Sequence, residues 1–492
     1  MRKIVIAVAL VVAVIAGAAV SLPVAEKYFA DSMKAQIDRD GVLSVSSIEV
    51  GLLDRRITFH DLRSKQLNGI TATRWEVSGL AWPLDELLKG RTPLSGLRLG
   101  DPLRAQKIEV QDLRVTTIDG QSWRLGKVLL EGVDLERFDA DAAPGALQPS
   151  VLGARLVRAL SVRHFEERDV VYTIPFTQNT VGFVSLAGNN LDHGKLGSFE
   201  LAALEAAGKS AAEPSLRLAS IKGEGVDARR ILASMSELSW QAGRPLGRLG
   251  LEHVSATGFG GEVFARYGIS LGSVTLDVVH EGDAVLKSST KIDGFVMVPP
   301  AGSLEGLQLR MAMQAMGLKE LRLGLECAGR EDRTRGEVAI ERCALSGPDL
   351  GEFAFGGKLV GADARFWQAI DNGNLLAVYG TRAAFGEATL TLADKGLLDH
   401  GLRGLAMASG KSPAATRADL AAEIRRYAPP NVLITDDLTK LLETTARFVE
   451  QGGTLTLLAK PDPPLALDKV GTLMRPGPDL VDLLGLTSTL SK

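Results

Sequence analysis

Hydrophobic and polar positions change rhythm twice along this chain. Ile4–Val20 is an unbroken apolar run behind Met1-Arg2-Lys3. As a helix it would reach about 25 Å. A bilayer core asks for about 20 residues, and Ser21–Ala25 supplies the difference. The run is apolar on every face, which suits lipid better than a buried core. Ile4, Val8, Val12, Ile15 and Val20 are the expected anchor positions. Arg2 and Lys3 belong on the cytoplasmic side, so the body is expected across the inner membrane. A cleaved leader is the competing reading, because Ala16-Gly17-Ala18 and Gly17-Ala18-Ala19 fit a small-x-small site. Both readings export the remainder.

Asp31–Asp40 closes a membrane-proximal helix that Gly41 stops. Short strand-like pieces then recur, beginning with partial alternation at Val42–Val50. Ile57–Leu62, Ile108–Val115, Leu129–Leu135, Leu251–Val254 and Ile340–Leu345 share a form. Each alternates, places two polar or small residues together, then resumes with an apolar one. One added residue would turn the following side chains to the other face, and a β-bulge or bend would absorb it and coil the strand. Such strands in series predict a long, curved sheet with an apolar concave face; a self-packed β-sandwich is the alternative. Short helices are expected at Trp82–Lys89, Ser150–Leu160 and Asp227–Leu238, with a loop at Asp139–Pro149. Pro299–Gly302 marks the expected boundary.

Beyond it, Leu318–Glu326, Gly336–Leu345, Gly351–Val360 and Ala388–Leu392 read as strands. From Gly396 the period becomes helical. Pro413–Tyr427 is amphipathic behind an N-cap at Ser412. A second helix opens at Thr435-Asp436-Asp437 and ends at Gly452-Gly453. Its face Leu438, Leu441, Leu442, Thr445 and Phe448 suits core packing. Thr454–Ala459 reads as a strand and Asp479–Leu486 as a short helix. The predicted class is mainly β with an α+β C-terminal part. It comprises a transmembrane and membrane-proximal segment 1–40, serial strands of a twisted antiparallel sheet or groove at 41–300, and a C-terminal domain 301–492 with helices near its end.

Composition narrows the role. Net charge is −3 over 492 residues and aromatics are 5%, so there is neither a basic field nor a stacking platform for nucleic acid. Glycine (53) outnumbers proline (20), which fits many short strands and turns. Two cysteines occur, Cys327 and Cys343. Export allows a disulfide, but a hairpin centred near Asp332-Arg333 would set Cys327 opposite about residue 338, out of direct reach of Cys343, so two small buried hydrophobes are expected, with a disulfide as the alternative.

Catalytic patterns are weak. Gly268-Ile-Ser270-Leu-Gly272 fits G-x-S-x-G, but that chemistry needs a helix after the serine and Val274–Val279 reads as strand. Ser288-Ser-Thr-Lys291 fits S-x-x-K, yet strand alternation sends the pair to opposite faces. Gly258–Gly261 lacks both the Lys-Ser/Thr and the helix start of a phosphate cradle. His60, His164, His193, His253, His280 and His400 show no metal-ligand spacing. Asp436-Asp437 fits helix-start charge. No enzyme activity, metal or cofactor is expected.

The opening of the chain resembles the AsmA-like envelope proteins. The resemblance rests on the anchor, the segment Val50-Gly-Leu-Leu-Asp-Arg-Arg-Ile-Thr-Phe-His-Asp-Leu62 and the serial strands. The second half, from Gly317-Leu-Lys-Glu-Leu-Arg-Leu through Gly453-Thr-Leu-Thr-Leu to Pro461–Pro464, is similar to uncharacterised alphaproteobacterial exported proteins. The AsmA-like resemblance implies an inner-membrane anchor, a periplasmic β-groove and a part in lipid movement or envelope upkeep. The chain is shorter than the larger members, which counts against bridging two membranes alone. The expected role is binding a lipid or other amphipathic ligand. A scaffold docking an envelope protein is the second reading, and a serine hydrolase at Ser270 the third.

Overall fold

A computed structural model describes residues 22–41, 43–64, 69–81, 100–116, 122–139, 155–174, 179–208, 215–229, 250–282, 284–372, 374–428, 433–470 and 480–492. The anchor positions Ile4, Val8, Val12, Ile15 and Val20 lie outside these, as do Trp82–Lys89 and most of Asp139–Pro149. Among the described residues no helix is long and apolar enough to cross a membrane. The fold is mainly β, with helices concentrated toward the C-terminus. It divides into two compact units: Met1–Ser215 with Glu224–Leu238, and Leu216–Gly223 with Ser239–Lys492.

Among the described residues, unit 1 begins with helix α1 (22–40). Gly41 ends it at φ 66, a conformation glycine adopts freely, and the Gly41 amide donates to the Ile37 carbonyl at 3.1 Å. Strands β1 (Leu43–Ser44) and β2 (Ser47–Gly51) both pair with β3 (Arg56–Ser64). Then β4 (Thr71–Ser78), β5 (Leu103–Thr116), β6 (Ser122–Leu135), β7 (Leu160–Thr173), β8 (Thr180–Asp192) and β9 (Lys195–Ala207) follow, each antiparallel to its predecessor. Phe29, Ala30 and Met33 of α1 join the core of Ile48, Val50, Ile57, Phe59, Val110 and Val133. Glu26 accepts from the Leu52 amide (2.9 Å) and Lys34 donates to the Val45 carbonyl (2.8 Å), which pins α1 to the first strands.

The strands of unit 1 do not alternate with a period of two. Along β5 the apolar positions are Leu103, Ala105, Ile108, Val110, Leu113 and Val115. Between them Gln106-Lys107 and Gln111-Asp112 stand as doubled polar positions. The same five-residue rhythm runs through β6 (Leu125, Val128, Leu130, Val133) and β7 (Val162, Phe165, Glu167, Val170). Pairing sets the doubled positions side by side: Arg74 opposite Gln111, Gln111 opposite Lys127, Lys127 opposite Arg168, Arg168 opposite Ser185. Pairing keeps the same offset on both sides of each kink, so neighbours turn over together.

Of the bulge or bend expected in Ile57–Leu62, Ile108–Val115 and Leu129–Leu135, the structure shows the bend and corrects the bulge. The adjoining strand doubles the same position, leaving nothing unpaired to absorb. Alternate strands turn with a left-handed residue: Asp61 (φ 50), Asp112 (φ 51), Asp169 (φ 53) and Ala203 (φ 54) on β3, β5, β7 and β9. A second row uses Gly132 (φ 62) and Asn190 (φ 56) on β6 and β8. Asp and Asn tolerate this region better than other residues with side chains. The left-handed side chain leans over a small neighbour. A Cβ placed on Gly126 would meet the Asp169 Cβ at 3.0 Å, and Thr73 Oγ1 donates to Asp112 Oδ2 at 3.1 Å.

The division between units falls within β10 (Leu216–Asp227). In unit 2, β11 (His253–Thr257) pairs with β13 (Ser273–Glu281) and β12 (Ile269–Ser270) with β14 (Val285–Met297). The ladder continues as β13, β14, β15 (Leu321–Asp332), β16 (Glu337–Gly347), β17 (Gly351–Val360), β18 (Ala384–Asp394), β19 (Thr454–Ala459) and β21 (Leu486–Ser491), with β20 (Leu465–Ala466) beside β18. Pro299–Gly302 is a connection whose flanking strands, β14 and β15, pair with one another. Here bulges do insert residues. Register shifts occur between Ile292 and Phe295 on β14 and between Ile340 and Cys343 on β16, the second inside the segment Ile340–Leu345.

The β16 bulge also decides the cysteines. The β15–β16 strands pair as far as Asp332 opposite Glu337, and the register shift at Ala328/Gly329 then sets Cys327 opposite Cys343. The two are disulfide-bonded, which corrects the expectation of separate thiols. Centring the turn at Asp332-Arg333 placed it too early and left out the bulge.

Helices in unit 2 are α2 (Glu262–Tyr267), α3 (Leu304–Ala315), α4 (Ala364–Asp371), α5 (Leu375–Val378), α6 (Leu397–Ser409), α7 (Pro413–Arg426) and α8 (Asp436–Gln451), followed by the turns Leu467–Val470 and Leu480–Leu483. Ser412 and Thr435 cap α7 and α8, accepting from the Ala415 and Leu438 amides. The strand-like reading after Gly302 missed α3 and α4. The final helix is shorter than Asp479–Leu486 because β21 begins at Leu486.

Candidate functional site

The five-residue rhythm gives unit 1 one face built from continuous cross-strand rows. One runs Phe59, Trp75, Val110, Val128, Glu167, Leu186, Leu201 from β3 to β9; another runs Ile57, Val77, Ile108, Leu130, Phe165, Gly188, Phe199. Burial fades along these rows. Ile57 is 0% exposed and Val110 5%, under the cluster that includes α1. On β8 and β9, Phe183, Leu186, Leu191, Phe199, Leu201 and Leu204 are all only half-buried. Trp123 stacks on Tyr172 at 4.2 Å and remains 40% exposed. Among the described residues, the face is thus fully buried at its beginning and only partly buried toward β9.

The opposite face is polar and internally paired. Lys107 meets Glu109 at 2.6 Å, Arg74 meets Glu76 at 2.6 Å and Arg168 meets Glu166 at 2.6 Å. The hydrogen bond from Lys107, joined by those of Gln111 and the charge of Lys127, holds the Glu109 carboxyl down at about 2. Partners two residues apart point the same way on a strand, so these pairs form locally and lace the outer surface.

Glu167 breaks the apolar face. It is half-buried, and removal from water pushes its carboxyl above the ordinary value. Only the phase of the five-residue rhythm separates the outward Glu166 from the inward Glu167.

The other candidate residues do not assemble. Ser270 lies on β12, with α2 before it and β13 after it; its Oγ donates to the Val296 carbonyl at 3.5 Å. Ser288 and Lys291 sit in a regular stretch of β14, on opposite faces. Gly261 precedes α2, correcting the expectation that no helix starts there, but α2 has only 6 residues. His253 Nδ1 meets Asp277 Oδ1 at 2.6 Å and Ser289 Oγ donates to Asp277 Oδ2 at 3.4 Å. Both groups spend themselves on the carboxylate, so the imidazole does not receive the serine proton. His60, His164, His193 and His400 bond to Glu49, Asn189, the Arg158 carbonyl and the Met316 carbonyl. Among the described residues no cluster suits a metal ion. Asp436 and Asp437 occupy the first turn of α8.

Unit 2 has its own apolar row: Leu325, Leu345, Phe353, Leu392, Leu455 and Leu490. Leu455 is 2% exposed, whereas Leu345 is 41% and Phe353 40% exposed. A family model described only as "Uncharacterized protein" matches residues 344–490, from within β16 into β21. No curated protein and no solved structure matches the chain.

Proposed function

We propose that this chain is a membrane-anchored periplasmic protein whose unit 1 face holds the aliphatic part of a lipid or another amphipathic ligand. One observation carries the reading: the apolar rows of β3–β9 continue across β8 and β9, where their side chains stay only half-buried. Filling such a face with alkyl chain gains about 25 cal/mol for each Å² removed from water. The disulfide Cys327–Cys343 supports an oxidising compartment, and the sequence of Ile4–Val20 supports the anchor. The full chain, extracted from its native membrane and washed, is expected to carry co-purifying lipid by mass spectrometry and to bind a fluorescent fatty acid. A lipid-free preparation that takes up no probe would overturn the reading.

The second reading, an envelope scaffold with a protein partner, has its own support in unit 2. Met311 is 61%, Leu405 54% and Met407 72% exposed on α3 and α6. Crosslinking in intact cells that returned one dominant protein through these residues, with no lipid recovered, would favour it.

A further inference from the structure

Of the face positions from β3 to β9, Glu167 alone carries a charge. Its surroundings on that face are Val128 and Leu186 across the strands, with Phe165 and Val170 before and after it in β7. The Phe165 ring lies where a side chain at Gly188 would stand, so the next position on β8 presents no side chain. The nearest charges along the chain, Glu166 and Arg168, sit on the outer face and pair with each other at 2.6 Å. Lys127, opposite Arg168, is also outward and lies 3.7 Å from Glu109. Among the described residues, none gives the Glu167 carboxylate a cation or a hydrogen-bond donor. A leucine or valine here would complete the row, so the carboxylate costs the fold a desolvation that no cation or donor among the described residues offsets.

We propose that Glu167 is the headgroup site of this face and selects an amphiphile ending in a primary ammonium over neutral or anionic ones of equal chain length. The inference rests on the reading that the face takes aliphatic chains. An ammonium supplies the missing cation and donors together, in surroundings where a charge-assisted hydrogen bond is strongest. An anionic headgroup meets like charge. A hydroxyl offers one donor and no charge. Burial of the carboxyl points the same way, because a bound cation would draw its pKa back down.

The test uses the full chain in nanodiscs at neutral pH. A diazirine-bearing dodecanol photolabels the protein, and labelled peptides from β7–β9 are quantified while dodecylamine, dodecanol or dodecanoate competes. Dodecylamine is expected to compete about tenfold better than dodecanol, and dodecanoate worse than either. Glu167→Gln and Glu167→Leu are expected to abolish the dodecylamine advantage while dodecanol competes as before. The leucine variant completes the apolar row, so it guards against a loss caused by unfolding. Labelling with equal competition by amine and alcohol in the wild type would overturn the headgroup assignment and leave the acyl-chain reading standing. An advantage that survives in both variants would also overturn it. No labelling of β7–β9 would remove the acyl-chain reading, and the headgroup site with it.

Discussion

Unit 1 and unit 2 each turn long antiparallel strands over, and they do so differently. In unit 1 the doubled polar positions lie side by side on successive strands and the pairing offset survives. In unit 2 one strand gains a residue that its neighbour lacks, as between Ile340 and Cys343 against β17. The first device acts on a whole sheet, because every strand from β3 to β9 must keep the same phase. The second is confined to one strand and its immediate neighbours, as β16 shifts against β15 and β17. Unit 1 can therefore carry unbroken apolar rows across many strands, which is what an extended ligand face requires. Unit 2 breaks its rows more often and covers part of them with helices.

Deleting one residue from each device should separate the two most widely. Removing Asp112 puts Leu113 and Val115 on the polar face and shifts β5 against both β4 and β6. Unit 1 is expected to lose cooperative folding, read as loss of amide-exchange protection across β3–β9. Removing Glu341 only takes out the extra residue on β16, and unit 2 is expected to stay folded with a loss of about 1–3 kcal/mol. Equal tolerance of both deletions would mean that unit 1 does not depend on a common phase.

The disulfide offers the next contrast. It joins residues 16 apart in unit 2, where loop closure predicts about 3 kcal/mol. Cys327→Ser with Cys343→Ser is expected to lower the unfolding midpoint of unit 2 by that amount and leave unit 1 unchanged. A matching fall in unit 1, followed by exchange mass spectrometry, would contradict independent units.

Much of this was legible beforehand, and the gaps have physical causes. Serial strands, the caps at Ser412 and Thr435 and the strand Thr454–Ala459 follow from local pattern, which is written in the residues that form them. The doubled positions of Ile108–Val115 were visible too. Their meaning was not, because a bulge and a shared kink look alike on one strand and differ only in what the neighbour does. The same limit hid the disulfide, whose register depends on a bulge across the hairpin. Helix α3 was passed over because Leu304, Leu307 and Met311 are exposed rather than core, so its period marks no buried stripe. Ser303, which accepts from the Gly306 amide, was the available signal. Glu167 needed the phase of its strand to be told from Glu166.

The left-handed residues give a smaller test of the same idea. Asp112→Val places a β-branched residue at φ 51, and a cost of about 2 kcal/mol is expected in unit 1. Asp112→Gly frees the backbone but loses the bond from Thr73, so a change within about 1 kcal/mol is expected. Denaturant unfolding of the two variants checks the order. If valine were as harmless as glycine, the kink would not depend on left-handed backbone.

The smallest effect sets the two faces of unit 1 against each other through pH. Glu109, on the paired face, titrates at about 2 in the fold against an ordinary 4.5. The fold therefore binds fewer protons than the unfolded chain between those values. Its contribution is present above pH 4.5 and is lost as pH falls toward 2. Glu167, on the apolar face, is shifted upward by burial, so the fold holds a proton that the unfolded chain releases. Its contribution is present below 4.5 and is lost as pH rises through the raised value. Glu109→Gln is expected to flatten the acid limb of a stability profile, by about 1 kcal/mol after solvent screening. Glu167→Gln is expected to flatten the limb above pH 4.5 and leave the acid limb alone. If both variants moved the same limb, the assignment of these two carboxylates to opposite faces would be wrong, and with it the five-residue phase of β5 and β7.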